Sequence, residues 1–274
     1  MSFTVRDSRL PGTGTAVRDY VPEHTAGRPL LWVHGGAFAG GSIDMPESDA
    51  VARQLARSCR HVRTLEYRLA PDFADDGPLP PDPAGGRYPA AQHDVLEAFA
   101  DLSAGGAAFL GGASAGACLA ASAAVTLRDE RRSLPVGLVL VYGVFHPVLP
   151  IHTDAEGLRL REMTDAQATR WVTRMALNYA GTEELLADPH VFPGQGSPAG
   201  LPQTLIMDAD RDILRSSGKR WAEQLRDAVV PTTERVVTGS AHGFLNEPAS
   251  PHFRDGALEM ARWMRQVDEG VRAL

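Results

Sequence analysis

The stretch Gly112-Ala113-Ser114-Ala115-Gly116 reads G-x-S-x-G. It follows a short apolar run, Ala107-Ala108-Phe109-Leu110, and precedes a small-residue run, Ala117 to Leu127. A serine held on a sharp strand-to-helix turn has its hydroxyl pushed out of the sheet, and glycine on both flanks lets the two backbones approach. A Gly/Ala-rich helix start would give the same five letters in an ordinary α/β protein, so the partners decide between the two. A serine nucleophile needs a base within hydrogen-bond reach, and the base needs an orienting carboxylate. In chain order serine, acid, histidine, both partners lie downstream. The apolar run Leu205-Ile206-Met207 leads into Asp208, Asp210 and Asp212, and Thr233-Glu234-Arg235-Val236-Val237 leads into Gly239-Ser240-Ala241-His242-Gly243-Phe244. The acid after one strand and His242 after the next would project from the C-terminal edge of a parallel sheet, where open α/β folds bind ligands.

Acyl transfer also develops negative charge on the carbonyl oxygen, and backbone N–H groups aimed at that oxygen stabilise it. Pro29 to Val33 is strand-like and ends in His34-Gly35-Gly36-Ala37-Phe38, a turn open enough for that approach. The candidate oxyanion turn is Gly35-Gly36-Ala37, with the N–H groups of Gly36 and Ala37 as donors and that of Ala115 beside them.

These segments carry a resemblance. The chain resembles the hormone-sensitive-lipase-like branch of the α/β-hydrolase esterases. His34 to Phe38 is similar to that branch's HGGGF, and Tyr67-Arg68-Leu69-Ala70-Pro71 matches its YRLAP. Tyr88-Pro89-Ala90-Ala91 stands where the family has F-P-A-A, and Ala113 to Gly116 is similar to the end of its GDSAG. Asp212-Ile213-Leu214-Arg215 and His242-Gly243-Phe244 are similar to its D-P-L-x-D and HGF, so the likeness runs from about Pro29 to near the C-terminus. Ala37 replaces the third glycine, Ala113 the usual acid, Ile213 the proline and Ser216 the second acid. The resemblance implies Ser114 as nucleophile, His242 as base and Asp212 as orienting acid by register, with Asp210 and then Asp208 as the other choices. It implies a serine carboxylesterase working without cofactor or metal on a small ester. Two other readings stay open: an amide or formamide hydrolase on the same residues, and a non-catalytic binding protein on the hydrolase scaffold.

The elements that must position these residues alternate along the chain. Strands are expected around 3–6, 16–20, 30–33, 61–67, 107–110, 137–142, 204–207 and 233–237, with helices over 46–59, 90–102, 115–127, 214–229 and about 251–267. The expected class is therefore α/β, an α/β-hydrolase fold with a central, mostly parallel sheet flanked by helices and a small helical cap. Residues 1–274 form one domain, with a cap insertion at approximately 144–200. That insertion lacks a strong strand and carries a helical stretch, Thr164 to Tyr179. Phe38, Phe145, Trp171, Met175 and Phe244 are the candidate pocket-lining residues, each of which could equally be ordinary core. About a dozen residues more than the family pattern, Phe73 to Arg87, are rich in Pro, Asp and Gly and should form an irregular loop. Only about thirty residues precede the oxyanion turn, whereas many relatives use a longer segment to build their cap. The expectation is a reduced cap, an open pocket and short-chain esters.

Composition agrees. With 274 residues, 43% hydrophobic and 22% charged, the chain suits a single large globular domain. Its net charge of -7 argues against a nucleic-acid partner. No apolar stretch is long enough to span a membrane, and Met1 to Arg9 lacks a signal-peptide core. Two cysteines, Cys59 and Cys118, give no disulfide framework, so a cytoplasmic setting is the default. A homodimer is compatible with this class. No metal or nucleotide motif occurs. His34 is expected to shape the oxyanion turn without titrating. His146 is a candidate neighbour of the pocket, and His24, His61, His93, His152, His190 and His252 are expected at the surface or at helix caps.

Overall fold

The computed structural model describes residues 2–151 and 163–270. Eight strands form one sheet: β1 Phe3–Arg9, β2 Ala16–Pro22, β3 Leu30–Val33, β4 Val62–Leu65, β5 Phe109–Ala113, β6 Leu138–Val141, β7 Thr204–Ala209 and β8 Thr232–Val237. Their order is β1-β2-β4-β3-β5-β6-β7-β8. β1 and β2 pair antiparallel with each other, and β2 pairs antiparallel with β4. Every pairing from β4 across to β8 is parallel. Among the described residues, six α-helices connect or flank the strands: α1 Pro46–Arg57, α2 Ala90–Ser103, α3 Ala115–Asp129, α4 Asp165–Ala180, α5 Arg215–Asp227 and α6 Pro251–Asp268.

The central strands are apolar on both faces because helices cover both. Leu31, Val33, Leu138, Leu140 and Ile206 face one core with residues of α2, α3, α4 and α5. Their alternates Leu30, Trp32, Val139, Val141, Leu205 and Met207 face a second core with α1 and α6. This period of two, with hydrophobic residues in both phases, is what a parallel sheet buried on both sides requires. α3 is buried along nearly its whole length, which its run of small residues allows.

The expected helix over Thr164 to Tyr179 forms as α4. Thr164 accepts a hydrogen bond from the Gln167 N–H while the Gln167 side chain takes the Thr164 N–H, a reciprocal cap. Gly181, left-handed at φ 88°, ends the helix. Ala168, Val172, Met175, Ala176 and Tyr179 anchor α4 to the core. The Phe73 to Arg87 segment has no regular secondary structure, as expected, yet it is fastened to α4. The Arg174 guanidinium donates to the carbonyls of Ala74 and Pro78, and Asn178 Nδ2 donates to the Pro71 carbonyl. The Arg87 guanidinium donates to the carbonyls of Pro80 and Asn178. Phe73 packs against Trp171, with ring centroids 5.8 Å apart. His152 and the rest of the insertion over 152–162 lie outside the described residues. Among the described residues, no helix is long and apolar enough to cross a membrane.

The tightest packing in the sheet lies at the β5–α3 junction. A Cβ on Gly116 would meet the Val33 carbonyl oxygen at 2.2 Å and that of His34 at 2.4 Å. Both obstacles are backbone, so no rotamer change relieves the clash. Gly116→Ala is expected to destabilise the protein by about 2 kcal/mol or more, read from urea unfolding midpoints. A midpoint equal to wild type would refute this account of the glycine.

Candidate active site

Ser114 sits between β5 and α3 with φ 53° and ψ -119°. A non-glycine residue in that region carries a strain of about 1–3 kcal/mol and persists only where its surroundings enforce it. Here they do, because the Ser114 N–H donates to the Val141 carbonyl at 2.9 Å and Gly116 lets α3 start against β3. The hydroxyl stands at the end of the sheet. Ser114 Oγ lies 3.1 Å from His242 Nε2, and His242 Nδ1 lies 2.6 Å from Asp212 Oδ2. Asp212 is fully buried, and its other oxygen accepts the Leu214 N–H at 2.9 Å. With the carboxylate as acceptor, the proton belongs on Nδ1 and leaves Nε2 free to accept from the serine.

The other two acids have different partners. Asp210 Oδ2 accepts the Gly239 N–H at 2.8 Å, and its Oδ1 takes Arg215, so it shapes the loop that leads to His242. Asp208 is buried inside β7 beside Gly218, where a Cβ would come within 2.2 Å of its carboxyl. Burial and the nearby Asp212 charge push the Asp208 carboxyl well above the usual carboxylate range.

The candidate oxyanion turn is held from behind. Gly36, Ala37 and Phe38 all have positive φ, at 115°, 56° and 62°. The Tyr67 hydroxyl bridges the carbonyls of His34 and Gly35, 3.1 Å from each, and the Ala70 N–H donates to the Phe38 carbonyl. Arg68 pairs with the buried Asp94, whose carboxylate also takes the Arg68 N–H. The YRLAP segment is thus the back plate of the turn. The Gly35 N–H donates to Glu47 Oε1 at 2.6 Å, so Gly35 is a structural member of the turn and not an available donor. No acceptor among the described residues takes the N–H of Gly36, Ala37 or Ala115. Glu47, Tyr142 and Asn246 also gather here, and sequence reasoning missed them.

His34 behaves as expected. Its Nδ1–H donates to the Gly35 carbonyl at 2.7 Å, and its ring stacks on Tyr67 at 4.3 Å between centroids. Burial pushes its pKa down to about 4, so it is neutral at physiological pH. His146 is buried between Ser217 and Gln224 and serves the packing of α5.

The five expected pocket residues separate. Phe38 is fully buried, stacked on Tyr179 at 4.1 Å, and Phe145 is fully buried against Trp221 at 5.9 Å. Both are core rings, because the chain turns inward directly after the oxyanion turn and after β6. Met175 is buried on the inner face of α4, and Phe244 is buried edge-on to Tyr142. Trp171 is partly exposed and borders a cavity of 440 Å³ with Asp75, Asp76, Met163, Gln167 and Arg170. Among the described residues, no cluster of His, Cys, Asp and Glu is arranged to hold a metal ion.

The chain is similar to known proteins in sequence and in fold. A family model described as alpha/beta hydrolase fold matches residues 30–246. An arylesterase of Saccharolobus solfataricus is 28% identical, over 90% of this chain and 77% of its own. An ethyl acetate hydrolase of Pseudomonas putida is 28% identical, over 99% of this chain and 79% of its own. Among solved structures, the Pyrobaculum calidifontis esterase has a TM-score of 0.81 at 26% identity, over 96% of this chain and 85% of its own.

The buried neutral His34 makes stability depend on pH. Its folded-state pKa of about 4 lies below the ordinary value of 6.5, so the unfolded chain binds the proton first as pH falls. The contribution is complete above pH 6.5 and is lost on the way down to pH 4. From pH 7 to about pH 5, wild type should lose about 2 kcal/mol more stability than His34→Gln in urea unfolding. Parallel losses in the two proteins would refute it.

Proposed function

The chain belongs to the alpha/beta hydrolase fold family, in its hormone-sensitive-lipase-like esterase branch, and is a carboxylic ester hydrolase; from that premise we propose that Ser114, His242 and Asp212 catalyse its reaction on short-chain esters. The observation that carries this reading is the hydrogen-bonded chain from Ser114 Oγ through both nitrogens of His242 to the buried Asp212.

The reaction runs in two acyl-transfer steps. His242 Nε2 removes the Ser114 proton as Oγ bonds to the ester carbonyl carbon, and the carbonyl oxygen takes the negative charge. The N–H groups of Gly36, Ala37 and Ala115 hold that oxyanion. Asp212 keeps the imidazole in its Nδ1–H tautomer and stabilises the imidazolium. His242 then gives its proton to the leaving alcohol as the carbon–oxygen bond breaks. Water, deprotonated by the same His242, attacks the acyl-enzyme and releases the acid and Ser114. Every proton moves between Ser114, His242, water and substrate, so the cycle closes on the residues named.

Two observations support a preference for short acyl chains. Phe38, next to Ala37, is stacked on Tyr179 and meets Phe192 edge-on, so aromatic rings fill the space behind that side of the turn. The Pseudomonas putida relative is named for hydrolysis of a short ester, ethyl acetate.

The test is hydrolysis of p-nitrophenyl esters from acetate to palmitate. Turnover on acetate or butyrate should exceed that on palmitate, and a clear preference for palmitate would overturn the chain-length reading. Ser114→Ala should lower kcat by about 10⁴-fold or more, and His242→Ala comparably. Asp212→Asn should keep the geometry and lower kcat by about 10³- to 10⁴-fold. Retained turnover in Ser114→Ala would remove the serine from the mechanism. The rate should rise with pH as His242 loses its proton, because only the neutral imidazole can take the Ser114 proton.

A further inference from the structure

We propose that Glu47 is a positioning residue for this site, a single buried carboxylate that ties together the oxyanion turn, the end of β6 and the segment carrying His242. The inference rests on the reading of Ser114 and His242 as catalytic and adds a residue that the serine, histidine and acid pattern does not contain.

Glu47 lies in the first turn of α1, and its side chain is buried. Oε1 accepts the Gly35 N–H at 2.6 Å. Oε2 accepts the Tyr142 hydroxyl at 2.5 Å and Asn246 Nδ2 at 3.3 Å. The backbone joins in, because the Glu47 N–H donates to Asn246 Oδ1 at 3.2 Å and the Glu47 carbonyl accepts the Trp32 indole N–H at 2.9 Å. Each partner belongs to a segment with its own part in catalysis. Gly35 opens the oxyanion turn, and a Cβ there would meet Glu47 Oε1 at 2.6 Å and Ser114 Cβ at 3.0 Å, so the turn is clamped between the two. Tyr142 directly follows β6, and its ring meets the His242 imidazole edge-on at 5.0 Å. Asn246 closes the short helical turn Phe244–Asn246 just after His242.

Only a carboxylate has enough acceptor sites on two oxygens for three converging donors. Glutamine offers one acceptor oxygen and would turn an amide N–H₂ toward another donor. Oxyanion donors lose their effect when they drift by fractions of an ångström, so the clamp on Gly35 bears directly on the transition state and little on substrate binding.

The carboxylate also bears on the base. The titratable groups around Glu47 are Tyr142 just after β6, Tyr67 behind the turn and His242, whose Nδ1 faces Asp212. Burial holds both phenols protonated through the working range. Burial pushes the Glu47 carboxyl up, while its hydrogen bonds and the charge of a protonated His242 pull it toward the ionised form. The attraction is mutual, so an ionised Glu47 raises the basicity of His242.

The experiment compares wild type, Glu47→Gln, Glu47→Ala, Tyr142→Phe and Asn246→Ala on p-nitrophenyl acetate, with kcat, KM and the pH dependence of kcat/KM for each, and thermal unfolding alongside. Glu47→Gln should lower kcat roughly ten- to a hundredfold with KM within about threefold, and should move the acidic midpoint of the pH profile downward. Tyr142→Phe and Asn246→Ala should give smaller losses in kcat at similar KM. A Glu47→Gln enzyme with kcat within about twofold of wild type and an unmoved midpoint would overturn the proposal, whatever its thermal stability. If neither Glu47 variant folds, the other two decide, and wild-type kcat in both overturns it. A Ser114→Ala enzyme that still turns over would instead break the underlying site reading, so the two failures are distinguishable.

Discussion

The whole arrangement depends on holding one residue, Ser114, in a backbone conformation it disfavours. Its positive φ is set by the close approach of α3 to β3, which only glycine at position 116 permits, and by the Ser114 N–H bond to β6. The strain is concentrated where two parallel strands and a fully buried helix leave the chain no alternative path. Three further elements converge on the half-buried hydroxyl. β3 ends in the oxyanion turn, β7 delivers Asp212, and the loop after β8 delivers His242. Neighbouring parallel strands end on the same edge of a sheet, so chemistry drawn from distant stretches of sequence meets within hydrogen-bond distance.

The support behind that edge is largely polar and buried. Tyr67 bridges two carbonyls of the turn, Asp94 holds the backbone next to Tyr67, and Glu47 takes the Gly35 N–H. Polar groups removed from water cost free energy unless they are paired, and each of these is paired with backbone, the two carboxylates with side chains as well. A buried carboxylate that satisfies several donors fixes geometry better than apolar packing, because its hydrogen bonds are directional and it cannot slide.

Much of this was legible in the sequence. Strand and helix alternation, the elbow, the histidine and the candidate oxyanion turn follow from local pattern and chain order, and α4 forms close to the helical stretch expected over Thr164 to Tyr179. The choice among Asp208, Asp210 and Asp212 could not be made by strand alternation, since all three share one parity. In the structure β7 ends at Ala209, the chain then turns, and Asp212 is the one of the three that hydrogen-bonds His242. Phe38 and Phe145 adjoin functional residues in sequence but turn into the core, and residue type alone cannot say which way a ring faces. Gly35 carried the pattern of a donor, but its N–H is spent on a side chain twelve residues away. Glu47 looks in sequence like any acid favoured in a helix's first turn, and its role becomes visible only when three distant segments close around it.

The attachment of the Phe73 to Arg87 segment has an evolutionary consequence. Arg174 of α4 grips it through the carbonyl oxygens of Ala74 and Pro78, Asn178 holds the carbonyl of Pro71 just before it, and its own Arg87 ties the carbonyl of Pro80 to that of Asn178. Every residue type supplies such an oxygen. The loop can therefore exchange most of its side chains while staying docked on α4, and the face it presents beside Trp171 can be rewritten one residue at a time. A scaffold fastened in this way separates keeping a wall in place from choosing what the wall is made of, and that freedom lets selection or laboratory diversification work on the loop without first paying in folding.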